Sequence, residues 1–328
     1  MKVLVTGATG FVGLNIVSTL LAQGQEVVGV GHAPPPDAAL AALPGHRRVA
    51  WHITDLRDAD AVQALFAQAK PDRVVHGAAV TTAAGCDGEA ATATAAVNIM
   101  GSLNVLDAAV AQGVQRLVVL SSASVYGAAT PAQGMLDEAS SLPQPGAVYG
   151  ITKLAAERLL LRAGPLRGVQ VFAARLGGVF GRFERDSGLR DTLSPMHQVM
   201  RAARQGLPII LPRPGARDWI YAPDIADGVA AILLAEAPAF PVYNLSSPVI
   251  WSVAEWCAAL ALRQKIDWRL AQPGEAATID FHGPDDRPPL STSRALQDLG
   301  FRARFGLEEA LTDYLNWLQH NRSEGDTP

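Results

Sequence analysis

Tyr149 and Lys153 stand four residues apart at the head of a helical pattern, Leu154-Ala155-Ala156-Glu157-Arg158-Leu159-Leu160. Positions four apart share a helix face, so the lysine ammonium can lie beside the phenol. A free phenol has a pKa of about 10 and is a poor base at neutral pH. Nearby positive charge favours the phenolate, and a shift of about three units takes roughly 4 kcal/mol of differential stabilisation. Such a pair can take a proton from a substrate hydroxyl. By itself, Tyr-x-x-x-Lys also describes a surface tyrosine near an exposed lysine. The run Ser121-Ser122-Ala123-Ser124-Val125-Tyr126-Gly127 changes the balance, because it follows the apolar strand pattern Leu117-Val118-Val119-Leu120. A hydroxyl there can orient a substrate oxygen toward Tyr149; the bland alternative is a solvated turn.

The third constellation opens the chain: Val3-Leu4-Val5-Thr6-Gly7-Ala8-Thr9-Gly10-Phe11-Val12-Gly13. Gly7 allows a sharp turn out of a strand, Gly10 allows backbone to approach a phosphate, and Gly13 allows the next helix to pack on the strand. The helix N-terminus then favours an anion. Apolar positions Val12, Ile16, Val17, Leu20 and Leu21 carry that helix to Gly24, and a second strand follows at Val27-Val28-Gly29-Val30. The unit is βαβ, the setting that distinguishes a dinucleotide turn from an ordinary glycine loop.

The elements that must hold these residues alternate. Further strands are expected at Arg73-Val74-Val75-His76, Leu117–Leu120 and Val169-Gln170-Val171-Phe172-Ala173, with helices over residues 58–69 and 90–111. That order predicts an α/β fold: a Rossmann-type, doubly wound parallel sheet with its ligands beyond the carboxyl ends of the strands. Beyond Arg175 the pattern turns irregular and rich in glycine and proline. Residues 1–175 are expected to bind the dinucleotide, and 176–328 to form a smaller mixed α/β substrate part, interleaved with the sheet near 221–245. Residues 321–328 read as a frayed tail.

Composition narrows the function. A net charge of −4 provides no basic field for nucleic acid or an anionic membrane. Two cysteines, Cys86 and Cys257, make neither a disulfide framework nor a metal set, which predicts a reduced, cytoplasmic protein. The chain starts directly in a strand and shows no long apolar run, so neither a signal peptide nor a membrane span is expected.

Together the glycine turn, Asp55 beyond the third strand, His76-Gly77-Ala78-Ala79, Asn98, the Ser122 segment, Tyr149/Lys153 and Arg217-Asp218-Trp219-Ile220-Tyr221 resemble the extended short-chain dehydrogenase/reductase family, in its epimerase and dehydratase branch. The resemblance spans nearly the whole chain. It implies that Gly7, Gly10, Phe11 and Val12 hold a pyrophosphate, that Asp55 and Leu56 flank an adenine, and that Ala78, Ala79 and Leu176 line the cofactor cleft. Gly31 and His32 would end the strand at the ribose. Asn98 would touch the cofactor site as a structural or water-binding group. Tyr149 would be the base, Lys153 would hold the nicotinamide ribose, and Ser122 would orient the substrate with Ser124 beside it. Thr81, Gly178 and Arg217 would complete the substrate site. The family's habit implies a homodimer through residues 90–111 and 149–162, and a sugar or nucleotide-sugar substrate.

Three departures qualify that implication. NAD-preferring members end the second strand with an acid, where this chain has Gly31 and His32; NAD stays the expected cofactor and NADP is admissible, with His32, Arg47 and Arg48 in reach. Dehydratases and decarboxylases carry an acid between the serine and Val-Tyr-Gly, where this chain has Ala123 and Ser124. UDP-sugar enzymes carry Arg-x-x-Asn where this chain has Arg175-Leu176-Gly177-Gly178, and their late arginine is displaced here, with Arg287 as a candidate. The expectation is an NAD(P)-dependent sugar epimerase working through a keto intermediate. The alternatives are a dehydrogenase of a smaller sugar acid, polyol or other secondary alcohol, and a non-catalytic dinucleotide sensor.

Overall fold

The computed structural model describes residues 1–81, 87–131, 133–186, 193–281, 283 and 285–321. Cys86 and residues 322–328, which enter the sequence reading, lie outside the described residues. Seven parallel strands form the central sheet: β1 (Lys2–Thr6), β2 (Glu26–Gly31), β3 (Val49–Ile53), β4 (Arg73–His76), β5 (Arg116–Ser122), β6 (Gln170–Leu176) and β7 (Val242–Leu245). Their order is β7-β6-β5-β4-β1-β2-β3. Val3, Leu4 and Val5 are fully or almost fully buried, as are Val74, Val75 and residues 117–119. Such continuous apolar runs are what a sheet covered on both faces requires. The strand order reverses between β4 and β1, and the crevice at that switch point lies between the glycine turn after β1 and the loop after β4.

Helix Phe11–Ala22 packs on one face beside helix Ala222–Leu234. Helices Ala59–Ala69, Ser102–Ala111 and Val148–Leu166 cover the other. The expected helix over 58–69 starts one residue later, because Asp58 caps it by accepting the Ala61 N–H at 3.0 Å. The expected helix over 90–111 contains a π-helical turn, Ala96–Gly101, between Asp87–Ala95 and Ser102–Ala111. One correction concerns hydropathy. Gly88–Ala111 is long and apolar enough to cross a membrane by length and composition, so a long apolar stretch does exist. It packs against Ala59–Ala69 and Val148–Leu166 within the protein.

β6 ends at Leu176. The chain then builds the smaller part from two-stranded ribbons: Gly178–Phe180 with Trp219–Tyr221, Ala216–Arg217 with Trp251–Ser252, and Ile209–Leu211 with Trp268–Leu270. Phe180, Trp219, Tyr221, Trp251 and Trp256 form its aromatic core. In between, the chain returns to the sheet through Ala222–Leu234 and β7, which pairs with β6 from Val242↔Ala173 to Leu245↔Leu176.

Candidate active site

Gly7 has φ +69°, and a Cβ there would sit 2.8 Å from the Ala78 nitrogen. A Cβ on Gly13 would overlap the Gly7 carbonyl. Only glycine lets β1 turn this tightly against both the helix and the β4 loop. Gly10 is extended, and no side chain caps the helix it opens, which leaves the positive end of the dipole for an anion. Phe11 and Val12 begin that helix and are half-buried. The sequence reading missed Arg185. Its Nη2 donates to the Thr9 carbonyl at 2.6 Å, which brings a cation onto the glycine turn from across the fold. Its buried Nη1 has no hydrogen-bond partner among the described residues. A glycine cradle with an incompletely paired guanidinium fits the pyrophosphate of a dinucleotide.

The loop after β4 is held by a small polar network. His76 is buried between the Thr6 hydroxyl (2.7 Å from Nδ1) and the Ser102 hydroxyl (2.8 Å from Nε2). Ser102 donates its proton to the Asn98 carbonyl, so it accepts from His76 Nε2–H. Thr6 then donates to Nδ1 while accepting the Gly77 and Ala78 N–H groups, each at 3.2 Å. Burial, reinforced by the Lys153 charge, lowers the His76 pKa to about 3, so the ring is neutral. Ala78, Ala79 and Thr81 follow, all half-buried. Asn98 lies in the π-helical turn. Its amide donates to the Val80 carbonyl (3.0 Å) and the Thr152 hydroxyl (3.1 Å), and its oxygen accepts the Val80 N–H (2.8 Å). Both of its donors are therefore used in tying the β4 loop to the Tyr149 helix.

At the adenosine end, Gly31 is buried and the Thr9 side chain fills the space a residue-31 side chain would need. No acid can stand there without displacing Thr9. His32 is exposed. Asp55 is paired with Arg57 (2.6 Å), whose hydrogen bonds hold its carboxyl below the usual range. Leu56 is buried in the core against Gly101, and its carbonyl accepts from Asn104 at 2.8 Å.

β5 delivers Ser122 at its carboxyl end. The Ser122 hydroxyl accepts the Ser124 N–H and donates to the Ser124 hydroxyl, both at 3.1 Å. Helix Val148–Leu166 closes onto this turn because Gly150 has no side chain: a Cβ there would lie 2.7 Å from the Ser124 carbonyl. Half-buried Tyr149 and buried Lys153 are thereby carried to the serines. Burial lowers the Lys153 pKa to about 8, and the Glu157 charge one turn on opposes that shift. Glu157 is fully buried and was not singled out in the sequence. It accepts from Ser121 (2.6 Å) and from Arg175 Nε (3.0 Å) and Nη2 (2.6 Å), while Arg175 stacks over the Tyr126 ring at 4.8 Å. A polar residue four after a lysine on a buried helix face was the available signal.

Past β6, Leu176 is in the core, and Gly178 lies so close to Trp219 that a Cβ would be 2.7 Å from the indole. The asparagine missing from Arg-x-x-Asn therefore has no room. Arg217 stacks over Trp219 at 5.2 Å, and Arg287 approaches it closely enough that its charge, after burial, lowers the Arg217 pKa. The displaced late arginine is thus paired with Asp218, the residue that follows Arg217, at 2.8 Å.

A Rossmann sheet whose switch point is lined by this cradle, with a tyrosine–lysine helix seated on a serine turn, defines an NAD-dependent enzyme of the extended short-chain dehydrogenase/reductase class. The profile described as "NAD dependent epimerase/dehydratase family" matches residues 3–246. The chain is 32% identical to UDP-glucose 4-epimerase 2 of Oryza sativa subsp. japonica, over 97% of this chain and 82% of that protein. Its fold matches UDP-glucose 4-epimerase of Thermus thermophilus solved with NAD (TM-score 0.78, 25% identity, 97% and 99% of the two chains). It also matches MoeE5 in complex with UDP-glucose and NAD (TM-score 0.77, 28% identity, 98% and 100%). This chain belongs to the NAD-dependent epimerase/dehydratase family.

Proposed function

We propose that this enzyme epimerises a hydroxyl-bearing carbon of a nucleoside-diphosphate sugar, with NAD retained between half-reactions. The observation that carries the reading is the Ser122–Ser124 turn against the Tyr149/Lys153 helix, with Ala123 and Ser124 where an eliminating or decarboxylating member would need an acid. Bound NAD supplies a reversible hydride acceptor. Tyr149 takes the proton from the sugar hydroxyl, Lys153 stabilises the phenolate, and Ser122 orients the sugar oxygen. Arg217 and Arg287 meet the diphosphate. The relatives named UDP-glucose 4-epimerase support a UDP-hexose and its C4 position; neither the dehydrogenase nor the sensor alternative is favoured by these likenesses.

The test is to denature the purified enzyme, identify the released dinucleotide by mass, and incubate intact enzyme with UDP-glucose or UDP-galactose without added cofactor. Retained NAD and interconversion of the two sugars are expected; an empty site with net NADH formation on added NAD overturns the reading. Tyr149→Phe should lower turnover by about 10²–10⁴-fold while NAD is still retained. We further propose a homodimer, supported by exposed Met100 (54%), Ile151 (48%) and Leu159 (43%) on the two helical segments that the family uses for pairing. A reducing cytoplasmic setting suits a chain with two cysteines, of which Cys257 is buried and unpaired.

A further inference from the structure

Asp218 sits between the two arginines of the anion site, fully buried, and the reaction chemistry gives it no role. Ser246, the first residue after β7, donates to the Asp218 carbonyl at 2.8 Å and to Oδ2 at 2.6 Å. The Leu290 N–H donates to the same Oδ2 at 2.9 Å. The carboxylate is therefore fixed at the carboxyl edge of the sheet, the edge that carries Ser122. Its other oxygen, Oδ1, forms an ion pair with Arg287 Nη2 at 2.8 Å, a charge contact that lacks the alignment of a hydrogen bond. The neighbouring charges sort into separate pairs. Arg213 is held by Asp286 (3.0 and 3.2 Å) and by the Gly283 carbonyl (2.9 Å). Among the described residues the polar contacts of Arg217 are long, 3.4 Å to the Asp285 carbonyl and 4.0 Å to Asp286, and its buried Nε has no hydrogen-bond partner there.

We propose that Asp218 is a positioning residue that draws Arg287 in from the 285–291 loop and sets it beside Arg217, completing a two-arginine clamp for a diphosphate. In this chain the fold thus restores a second cation that the sequence carries at a shifted position. The role of the clamp in turnover rests on the nucleotide-sugar reading; its affinity for a diphosphate does not. A carboxylate next to an anion site has the opposite sign from its ligand, so the proposal makes an unusual prediction. A mere counter-charge would weaken anion binding, and its removal would tighten it. A positioning carboxylate strengthens binding, and its removal releases the cation.

The test is calorimetric titration of the NAD-loaded enzyme with inorganic pyrophosphate and, separately, with UDP. Arg287→Gln and Asp218→Asn are each expected to weaken pyrophosphate binding by about tenfold, the scale of one charge-assisted contact. The double variant should bind no more weakly than either single variant, because both changes remove one interaction. In turnover the loss should fall on KM rather than on kcat. Unchanged or tighter binding by Asp218→Asn, unchanged binding by Arg287→Gln, additive losses, or a parent enzyme that binds neither probe would each overturn the clamp. A parent that binds pyrophosphate with these dependences but does not bind UDP leaves the clamp standing and removes the nucleotide-sugar reading. If Asp218→Asn does not fold, Ser246→Ala, which removes one of the two donors to the same Oδ2 and leaves the Leu290 N–H, should weaken pyrophosphate binding at least threefold, and unchanged binding overturns the proposal.

Discussion

Lys153 must keep its charge in a nearly dry position to stabilise the Tyr149 phenolate. Burial lowers its pKa to about 8, and the Glu157 carboxylate one turn away limits that fall. Replacing Glu157 with glutamine removes the opposing charge, so the Lys153 pKa should drop further. The alkaline limb of the kcat profile should then move to lower pH, while the wild type holds its activity to about pH 8. A pH–rate profile checks this, and an unmoved limb would assign Glu157 to scaffold alone. The variant should also lose stability, by about 3–5 kcal/mol, because Arg175 is left as a buried unpaired cation. His76 makes a separate prediction. Its folded pKa of about 3 lies below the ordinary histidine value, so the unfolded chain binds the proton first as pH falls. Its contribution to stability is present above about pH 6.5 and is lost progressively toward pH 3, at up to about 1.4 kcal/mol per pH unit. Denaturant unfolding of wild type and His76→Asn between pH 7 and 5 should give a flatter pH slope for the variant.

At the scale of elements, the contacts that position the site are close approaches of backbone. Gly150 seats the catalytic helix on the Ser124 carbonyl, and Gly178 lets the Gly178–Phe180 strand pair with Trp219–Tyr221 under the indole. Gly178→Asn would restore the family's residue in a place that Trp219 already fills. It should destabilise the enzyme by about 1–3 kcal/mol, seen as a lower Tm, and should not improve UDP affinity. The βα alternation, the glycine turn and the tyrosine–lysine helix were all legible in the sequence, because each is a pattern of neighbours along the chain. The π-helical turn at Ala96–Gly101 was not. Periodicity marks the helix, but the extra residue in that turn goes with the bonds Asn98 makes to Val80 and Thr152, and these come from other segments.

At the scale of the whole molecule, the two parts are tied together by arginines at the amino edge of the sheet. Arg116 donates to the carbonyls of Ile232, Leu233 and Ala235, and Arg73 to that of Leu233, which places two cations at the carboxyl end of helix Ala222–Leu234. The carboxyl edge of the same sheet remains for ligands. Outside, the exposed apolar residues of helix Val148–Leu166 are where the proposed second copy would pack. Light scattering should then give a dimer mass, and Leu159→Asp should shift the protein toward monomer with its fold retained, because Leu159 is exposed in the single chain. A monomeric wild type would refute the pairing.

The sequence by itself determined the alternation of strands and helices, the glycine turn, and the Tyr149/Lys153 spacing on one helix. These depend on spacing within a turn or a helix, where covalent geometry fixes which residues are neighbours. Only the tertiary structure decided that Arg185 reaches Thr9, that Arg175 neutralises Glu157, and that Arg287 pairs with Asp218. Those partners lie far apart in the chain and meet because burying the apolar surfaces brings their segments together. Once buried, each charge needs a partner, and the packing determines which partner is within reach.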